Sequence, residues 1–429
     1  MQIKRTDKSP TEVVLNVTAD QKFLDAAKNY VLRSLSGEVK VAGFRPGKAP
    51  LAVIEKNIDA SRLQTEFLEQ AINSLYGELV RAENLRPVKD PAVSIKKFVP
   101  FDQLEAEFEV ETIGAVKLAD YKSIKKAKPS VSVTAKEVND VLASLRKQAA
   151  ERSEVQRPSK NGDEVTLDFK GVDAKGQAVN GAEGKDYPLV LGSNTFIPGF
   201  EPNVVGIKAG EEKEFAVTFP KDYNVAALQG KKVTFKVKAH KVSELKEPEL
   251  NDDFVAKVSP FKKLDELKVD IKKQLTAEKQ READQIYQNE TLEEIASKSS
   301  VALPKSVVDN QIERGEVEER QNLAYRGTTW EEHLKEEGVT AEEHRERNRS
   351  KAENTVKISV LLTEIAEKEG IEVTPEELEI RLQILKGQYP DAAMQAELDK
   401  PENKQDIYSR LMTEKTIAKL VGYASGKKN

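Results

Sequence analysis

Apolar residues alternate with polar ones over residues 12–17, EVVLNV, and then recur every three or four positions over 21–36, where Leu24, Ala27, Val31 and Leu35 fall on one helix face. A strand and a helix are predicted. A second helical stripe runs from about Arg62 to Glu83 through Leu63, Phe67, Leu68, Ala71, Ile72, Leu75, Leu79 and Val80. Period two returns in PAVSIKKFV, with Val93, Ile95 and Phe98, and in LEAEFEVETI, where Leu104, Ala106, Phe108 and Val110 alternate with Glu105, Glu107, Glu109 and Glu111. Residues 1–112 thus read as an α+β domain with helices covering one sheet face.

Residues 113–150 change character. LADYKSIKKAKPSVSV is basic and extended, and Thr134 with Glu137 forms a capping box that opens a helix striped by Val138, Val141, Leu142 and Leu145. This segment is expected to be a linker and a helix that packs with the C-terminal domain. From 151 to 245 the pattern is β-rich, with DEVTLDFKGV, DYPLVLG, KEFAVTFP and KKVTFKVKAHKV as strands of a curved antiparallel sheet. A short helix is expected among Gly199, Gly206 and Gly210. Residues 246–429 are helical throughout. Leu264, Leu267, Ile271 and Leu275 begin a long stripe, Thr340 with Glu343 and Thr374 with Glu377 form capping boxes, and Gly315, Gly338, Gly370 and Gly387 mark expected breaks. The densest apolar stretch holds Val356, Ile358, Val360, Leu361, Leu362 and Ile365.

Length turns these segments into a multidomain reading, because 429 residues exceed one ordinary core of about 100 to 200 residues. The chain has no cysteine, which excludes disulfides and thiolate chemistry. His240, His333 and His344 have no spacing that joins two on one helix face, so no metal is expected, and His333 and His344 are read as solvated. MQIKRTDKSPTEVV lacks the apolar core of a signal peptide, and no run approaches the roughly 18 apolar residues of a membrane span. Charge is uneven, basic in 113–150 and acidic after 246, which argues against a general nucleic-acid binder. Trp330 and Tyr325 lie in a charged helical stretch, as packing residues or as client contacts.

One loop concentrates the candidate chemistry. Gly43-Phe44-Arg45-Pro46-Gly47-Lys48-Ala49-Pro50 lies between the two N-terminal helices, and Pro46-Gly47 fits the centre of a type II turn. Phe44, Arg45 and Lys48 would then stand on a rigid tip suited to phosphate or carboxylate. On local chemistry alone an ordinary interhelical loop with Phe44 folded into the core is the other reading. The octapeptide, however, resembles the ribosome-docking signature of the trigger factor family, G-F-R-x-G-x-x-P, at each fixed position. That resemblance implies ribosome binding through Gly43, Phe44, Arg45, Pro46, Gly47, Lys48 and Pro50.

A second resemblance covers about 85 residues of the β-rich segment. The order VTLDFKG, LVLG, FIPGFE, GIKAGE, FP-D-Y and VTFKV is similar to FKBP-type peptidyl-prolyl isomerases. It implies a pocket of Phe169, Tyr187, Phe196, Ile197, Phe200, Tyr223 and Phe235, although alternating aromatics on strands are also ordinary core. Where that family usually has Phe, an acid and two glycines, this chain has Val179, Asn180, Gly181 and Ala182, and Asn224 replaces a frequent histidine. A weaker isomerase is expected from those departures. No nucleophile is needed for this chemistry, since the barrier is amide resonance.

Together the resemblances imply a multidomain α+β protein: a ribosome-docking α+β domain, an FKBP-like antiparallel β domain with a short helix, and an all-α chaperone domain. They imply an ATP-independent, cytoplasmic chaperone that holds nascent chains at the ribosomal exit, contacting ribosomal protein and rRNA. Unfolded polypeptides are its clients, no nucleotide, cofactor or membrane is expected, and a weak homodimer forms off the ribosome. Clients should be held by several weak patches, because the C-terminal apolar stripes are thin. A dedicated prolyl isomerase and a helical scaffold are the alternatives.

Overall fold

The computed structural model describes residues 1–45, 47–173, 176–220, 223 and 228–426, the side chain of Asn180 excepted. The chain divides into two compact units, Met1–Lys128 with Ile286–Asn429, and Pro129–Gln285.

The first unit opens with β1 (Gln2–Ser9), β2 (Glu12–Thr18), α1 (Gln21–Leu35), α2 (Leu51–Lys56), α3 (Ala60–Ala82), β3 (Ala92–Val99) and β4 (Gln103–Glu111). The four strands form an antiparallel sheet in the order β1-β2-β4-β3. Leu15 pairs with Phe108 and Val13 with Val110, so the alternating apolar sets of β2 and β4 share one face. That face packs against Leu24 and Ala27 of α1 and Phe67, Ala71, Leu75 and Leu79 of α3. Burying each of the larger of these side chains contributes about 1.5–3 kcal/mol. The cover does not reach the edge strand: Val93 and Ile95 pair with Phe108 and Ala106, yet both are exposed. A smaller cluster of Val31, Leu32, Leu35, Ile54 and Leu63 closes the far end of the helices and seats the 36–50 loop.

The second unit contains α4 (Ala135–Gln148), β5 (Glu151–Glu154), β6 (Asp163–Val172), β7 (Ala178–Val190), α5 (Phe200–Val204), β8 (Glu212–Thr218), β9 (Lys232–Lys246), α6 (Asp252–Val258) and the start of α7 (Leu264–Lys298). Its sheet runs β5-β9-β6-β7, with β8 also on β9, and the pairings are antiparallel. The capping box at Thr134 forms, and Val138 and Leu142 of α4 pack on Phe254, Val255, Leu267 and Ile271.

The remainder of the first unit holds the end of α7, then α8 (Lys305–Tyr325), α9 (Trp330–Glu337), α10 (Ala341–Lys368), α11 (Pro375–Gly387), α12 (Ala392–Leu398) and α13 (Pro401–Ser425). The capping boxes at Thr340 and Thr374 form, and another forms at Thr329. Gly315 does not break the chain; it lies inside α8, where strong helix formers flank it and Ile312 and Glu316 are buried around it. Among the described residues no helix is long and apolar enough to cross a membrane.

Glu369 is a polar hub beneath this helical region. The hydroxyls of Tyr121 and Tyr423 donate to it at 2.7 and 2.8 Å, and Lys122 and Lys419 pair with it at 2.8 and 3.1 Å. Lys122 and then Tyr121 hold its carboxyl far below the ordinary glutamate range, against the opposing effect of burial. Tyr121→Phe removes one charge-assisted hydrogen bond from a buried ring and should cost on the order of 2 kcal/mol. Urea denaturation of the variant checks this, and an unchanged midpoint would refute it.

Candidate functional site

The 43–50 loop is a constrained turn. The Lys48 N–H donates to the Arg45 carbonyl at 3.0 Å, the hydrogen bond that closes a four-residue β-turn. Gly47 has φ 78°, the left-handed value that the third position of a type II turn requires, and its N–H donates to the Ser36 carbonyl at 3.0 Å. Pro46 lies outside the described residues. Phe44 is 46% exposed, so it is not folded into the core, and Gly43, Arg45 and Lys48 are exposed beside it. Among the described residues neither Arg45 nor Lys48 has a carboxylate partner within ion-pair distance. The loop therefore presents one apolar ring and two uncompensated cations. Pro50 adjoins the first residue of α2 and turns the chain back into the small core.

In the second unit the aromatic residues converge. A cavity of about 280 Å³ is lined by Phe169, Phe196, Ile197, Tyr223 and Phe235 of the expected set. Phe219, Thr195, Pro198, Gly181 and Ala182 complete the lining. Two expected residues sit differently. Tyr187 stands at the rim, 40% exposed, with its ring 5.9 Å from Phe169 and 5.4 Å from Phe196. Phe200 is 0% exposed and lies beneath the cavity, edge-on to Phe235 at 5.1 Å and 4.3 Å from Phe196. Phe200 is thus floor rather than wall. Phe219 is the residue the sequence reading missed, though Val217 and Phe219 are both buried, at the two-residue spacing of a strand's inner face. Gly184 is fixed by close approach, since a Cβ there would lie 2.5 Å from Phe169 Cε1. Val179 packs at the edge of this core, and Asn224 lies outside the described residues.

The wall that carries Phe196 is organised by a buried acid. Glu201, in the first turn of α5, accepts from the N–H groups of Gly192, Asn194 and Phe196 at 2.7, 3.1 and 3.2 Å and from the Ser193 hydroxyl at 3.3 Å. Burial alone would raise its pKa, but these donors outweigh burial and hold the carboxyl below its ordinary value. No spacing rule points to this residue.

Helices α11 to α13 enclose a groove of about 300 Å³ lined in part by Leu385, Tyr389, Leu398, Ile407 and Leu411, and Ile380, Ile384 and Met394 stand exposed nearby in sequence. These are small apolar patches among charges. Tyr325 is almost fully exposed, whereas Trp330 packs against two histidine rings.

Comparison with known proteins gives a consistent assignment. Residues 1–145 match the family described as "Bacterial trigger factor protein (TF)", residues 263–422 match its C-terminus, and residues 155–240 match "FKBP-type peptidyl-prolyl cis-trans isomerase". The chain is 35% identical to trigger factor of Caldicellulosiruptor bescii over 390 residues, covering 91% of this chain and 89% of that one. It is 33% identical to trigger factor of Clostridioides difficile over 427 residues, covering 99% and 100%. A solved structure described as "Promiscuous Substrate Recognition in Folding and Assembly Activities of the Trigger Factor Chaperone" shares the fold at a TM-score of 0.50 and 19% identity, covering 98% of this chain and 99% of that one. Identity at that level across nearly the whole length, with both terminal domains and the isomerase domain in order, means that the chain belongs to the trigger factor family of ribosome-associated chaperones with an FKBP-type peptidyl-prolyl isomerase domain.

Proposed function

We propose that Phe44, Arg45 and Lys48 are the ribosome contacts of this chaperone, and that Gly43, Pro46, Gly47 and Pro50 hold them in position. The observation that carries this is the exposed ring and two unpaired cations on a hydrogen-bonded turn. Arg45 and Lys48 would engage rRNA phosphates or carboxylates of a ribosomal protein at the exit, while Phe44 enters an apolar recess. Working at that site places the protein in the cytoplasm, without nucleotide or membrane, and self-association of the free protein is weak. The working segments are 1–112 for docking, 113–150 and 246–429 for the chaperone body, and 151–245 for isomerisation.

The aromatic cup of Phe169, Phe196, Ile197, Phe219, Tyr223 and Phe235 is the isomerase pocket, with Tyr187 at its rim and Phe200 as its floor. An X-Pro amide crosses a barrier of about 18–20 kcal/mol because resonance is lost in the twisted form. A dry aromatic wall removes water from the imide and favours the less polar twisted state. Val179 in place of a further ring leaves that wall less complete, and a weaker isomerase is expected from it. Phe196→Ala, which removes a wall that is only partly buried, should lower kcat/KM for a prolyl peptide by at least about tenfold. Suppression of client aggregation, followed by light scattering of the full-length variant, should stay at the wild-type level. Loss of both activities together would show that the cup also serves as the client site, against the division of labour proposed.

A further inference from the structure

Two of the three histidines, which the sequence spacing keeps apart and which were expected in solvent, meet in the helical region. His333 on α9 and His344 in the first turn of α10 have ring centroids 5.9 Å apart, and His344 is only 4% exposed. Glu319 of α8 lies against both. Its Oε1 is 3.2 Å from His333 Nε2 and its Oε2 is 3.4 Å from His344 Nε2. The three donor atoms all lie within 4.8 Å of one another.

Among the described residues His333 Nε2 is buried without an aligned hydrogen-bond partner, although the Glu319 carboxylate is 3.2 Å away. A desolvated, unpaired ring nitrogen is costly. A tetrahedral zinc ion with bonds of about 2.0–2.1 Å puts adjacent donors about 3.3 Å apart. Each histidine stands near that distance from a different Glu319 oxygen, and the three donors, within 4.8 Å of one another, would draw in slightly around an ion. Glu337 Oε1, 3.5 Å from the same His333 nitrogen, supplies a carboxylate beside the open position. Asn348 Nδ2 lies 3.3 Å from His344 Nδ1 and 3.4 Å from its Nε2, the nearest polar neighbour of that ring on its own helix. The neighbouring cations do not compete for Glu319. Arg320 and Arg345 pair with Glu316 at 3.8 and 3.3 Å, and Arg320 also stacks over Trp330.

We propose that Glu319, His333 and His344 form a binding site for a divalent transition-metal cation of the zinc type, which pins α8, α9 and α10 together. Imidazole and carboxylate donors without thiolate suit zinc rather than calcium or magnesium, which prefer all-oxygen shells. The cluster of Asp168, Asp186 and His240 is the weaker candidate, because it is more exposed and His240 already contacts Asp168 at 2.8 Å.

The site carries its own reporter. Trp330 is the sole tryptophan of the chain, and its ring lies 5.6 Å from His333 and 5.0 Å from His344. Zinc chloride titrated into untagged, chelator-treated full-length protein should change Trp330 emission saturably with one ion per chain. Glu319→Gln and His333→Ala should each weaken that response at least about tenfold, whereas His240→Ala should leave it intact. Magnesium should produce no change. In the unmodified protein, histidine NMR should show ring signals of His333 and His344 moving on zinc addition while those of His240 stay fixed, which decides the matter even if a variant misfolds. Flat Trp330 emission and unmoved His333 and His344 signals would overturn the proposal. So would a response that survives in both folded variants, since adventitious surface carboxylates would then be responsible.

Discussion

Arg45→Glu combined with Lys48→Glu is expected to abolish cosedimentation with ribosomes while leaving the protein folded. Both side chains are exposed and neither is near a carboxylate of the described residues, so the free protein loses nothing by their reversal. On a partner of phosphates or carboxylates each contact is a charge-assisted hydrogen bond of about 1.5–3 kcal/mol. Losing two such contacts weakens binding by about a hundredfold or more, and repulsion adds to the loss. Two phosphate contacts also predict a salt dependence with a log-log slope of about −1.5 to −2. Phe44→Ala should weaken binding with little change in that slope, because the ring carries no charge. Sedimentation of purified ribosomes with each variant at several salt concentrations measures both effects. Undiminished pelleting of the charge-reversed protein would remove the loop from the docking surface.

The second large effect is expected at Glu201. Three backbone N–H groups and one hydroxyl converge on its two oxygens, and the Phe196 amide is among them. Glu201→Gln keeps the shape but offers one carbonyl oxygen, and its NH2 group then faces another donor. Stability of the isomerase segment should fall by on the order of 3 kcal/mol, with a drop in kcat/KM as Phe196 loses its anchor. The pH dependence has a definite sign. Because the folded-state pKa is depressed, the carboxylate stabilises fully above the ordinary glutamate value of about 4.3, and this contribution is lost as pH falls through the lower folded value. The advantage of the wild type over Glu201→Gln in urea denaturation should therefore be largest at neutral pH and shrink in acid. Equal midpoints at neutral pH would contradict the assigned role.

What could be read from sequence followed what is local. The α1 stripe, the capping boxes at Thr134, Thr340 and Thr374, and the alternation of β4 are set by neighbours a few residues away, and each forms. β1 was not legible because QIKRTDKS is a mostly exposed edge strand, held by pairing to β2 rather than by an apolar pattern. β3 shows the converse: Val93 and Ile95 carry the right period, but the helices do not extend over the edge. At the cup the rings could be read from motif order, whereas Glu201 looks like any surface acid until the loop folds over it. His333 and His344 illustrate the same limit, since separate helices bring them together.

The first unit is assembled from both ends of the chain, Met1–Lys128 and Ile286–Asn429, and this governs how the protein itself is made. The core around Phe67 and Phe108 uses only residues from the N-terminal segment and can close early in synthesis. Tyr121 and Ile124, by contrast, are buried against Ile295, Leu362, Ile365 and Leu420, and Arg86 pairs with Glu364 and Glu367 at 2.7 Å. At about 5–20 residues per second, translation takes tens of seconds to reach these partners. During that interval the basic linker and its aromatic anchor have no seat, and a chain interrupted before Ile286 keeps them in water. The maker of this chaperone is thus left holding an unfinished client whose N-terminal core, carrying the loop proposed to dock at the exit, is already closed.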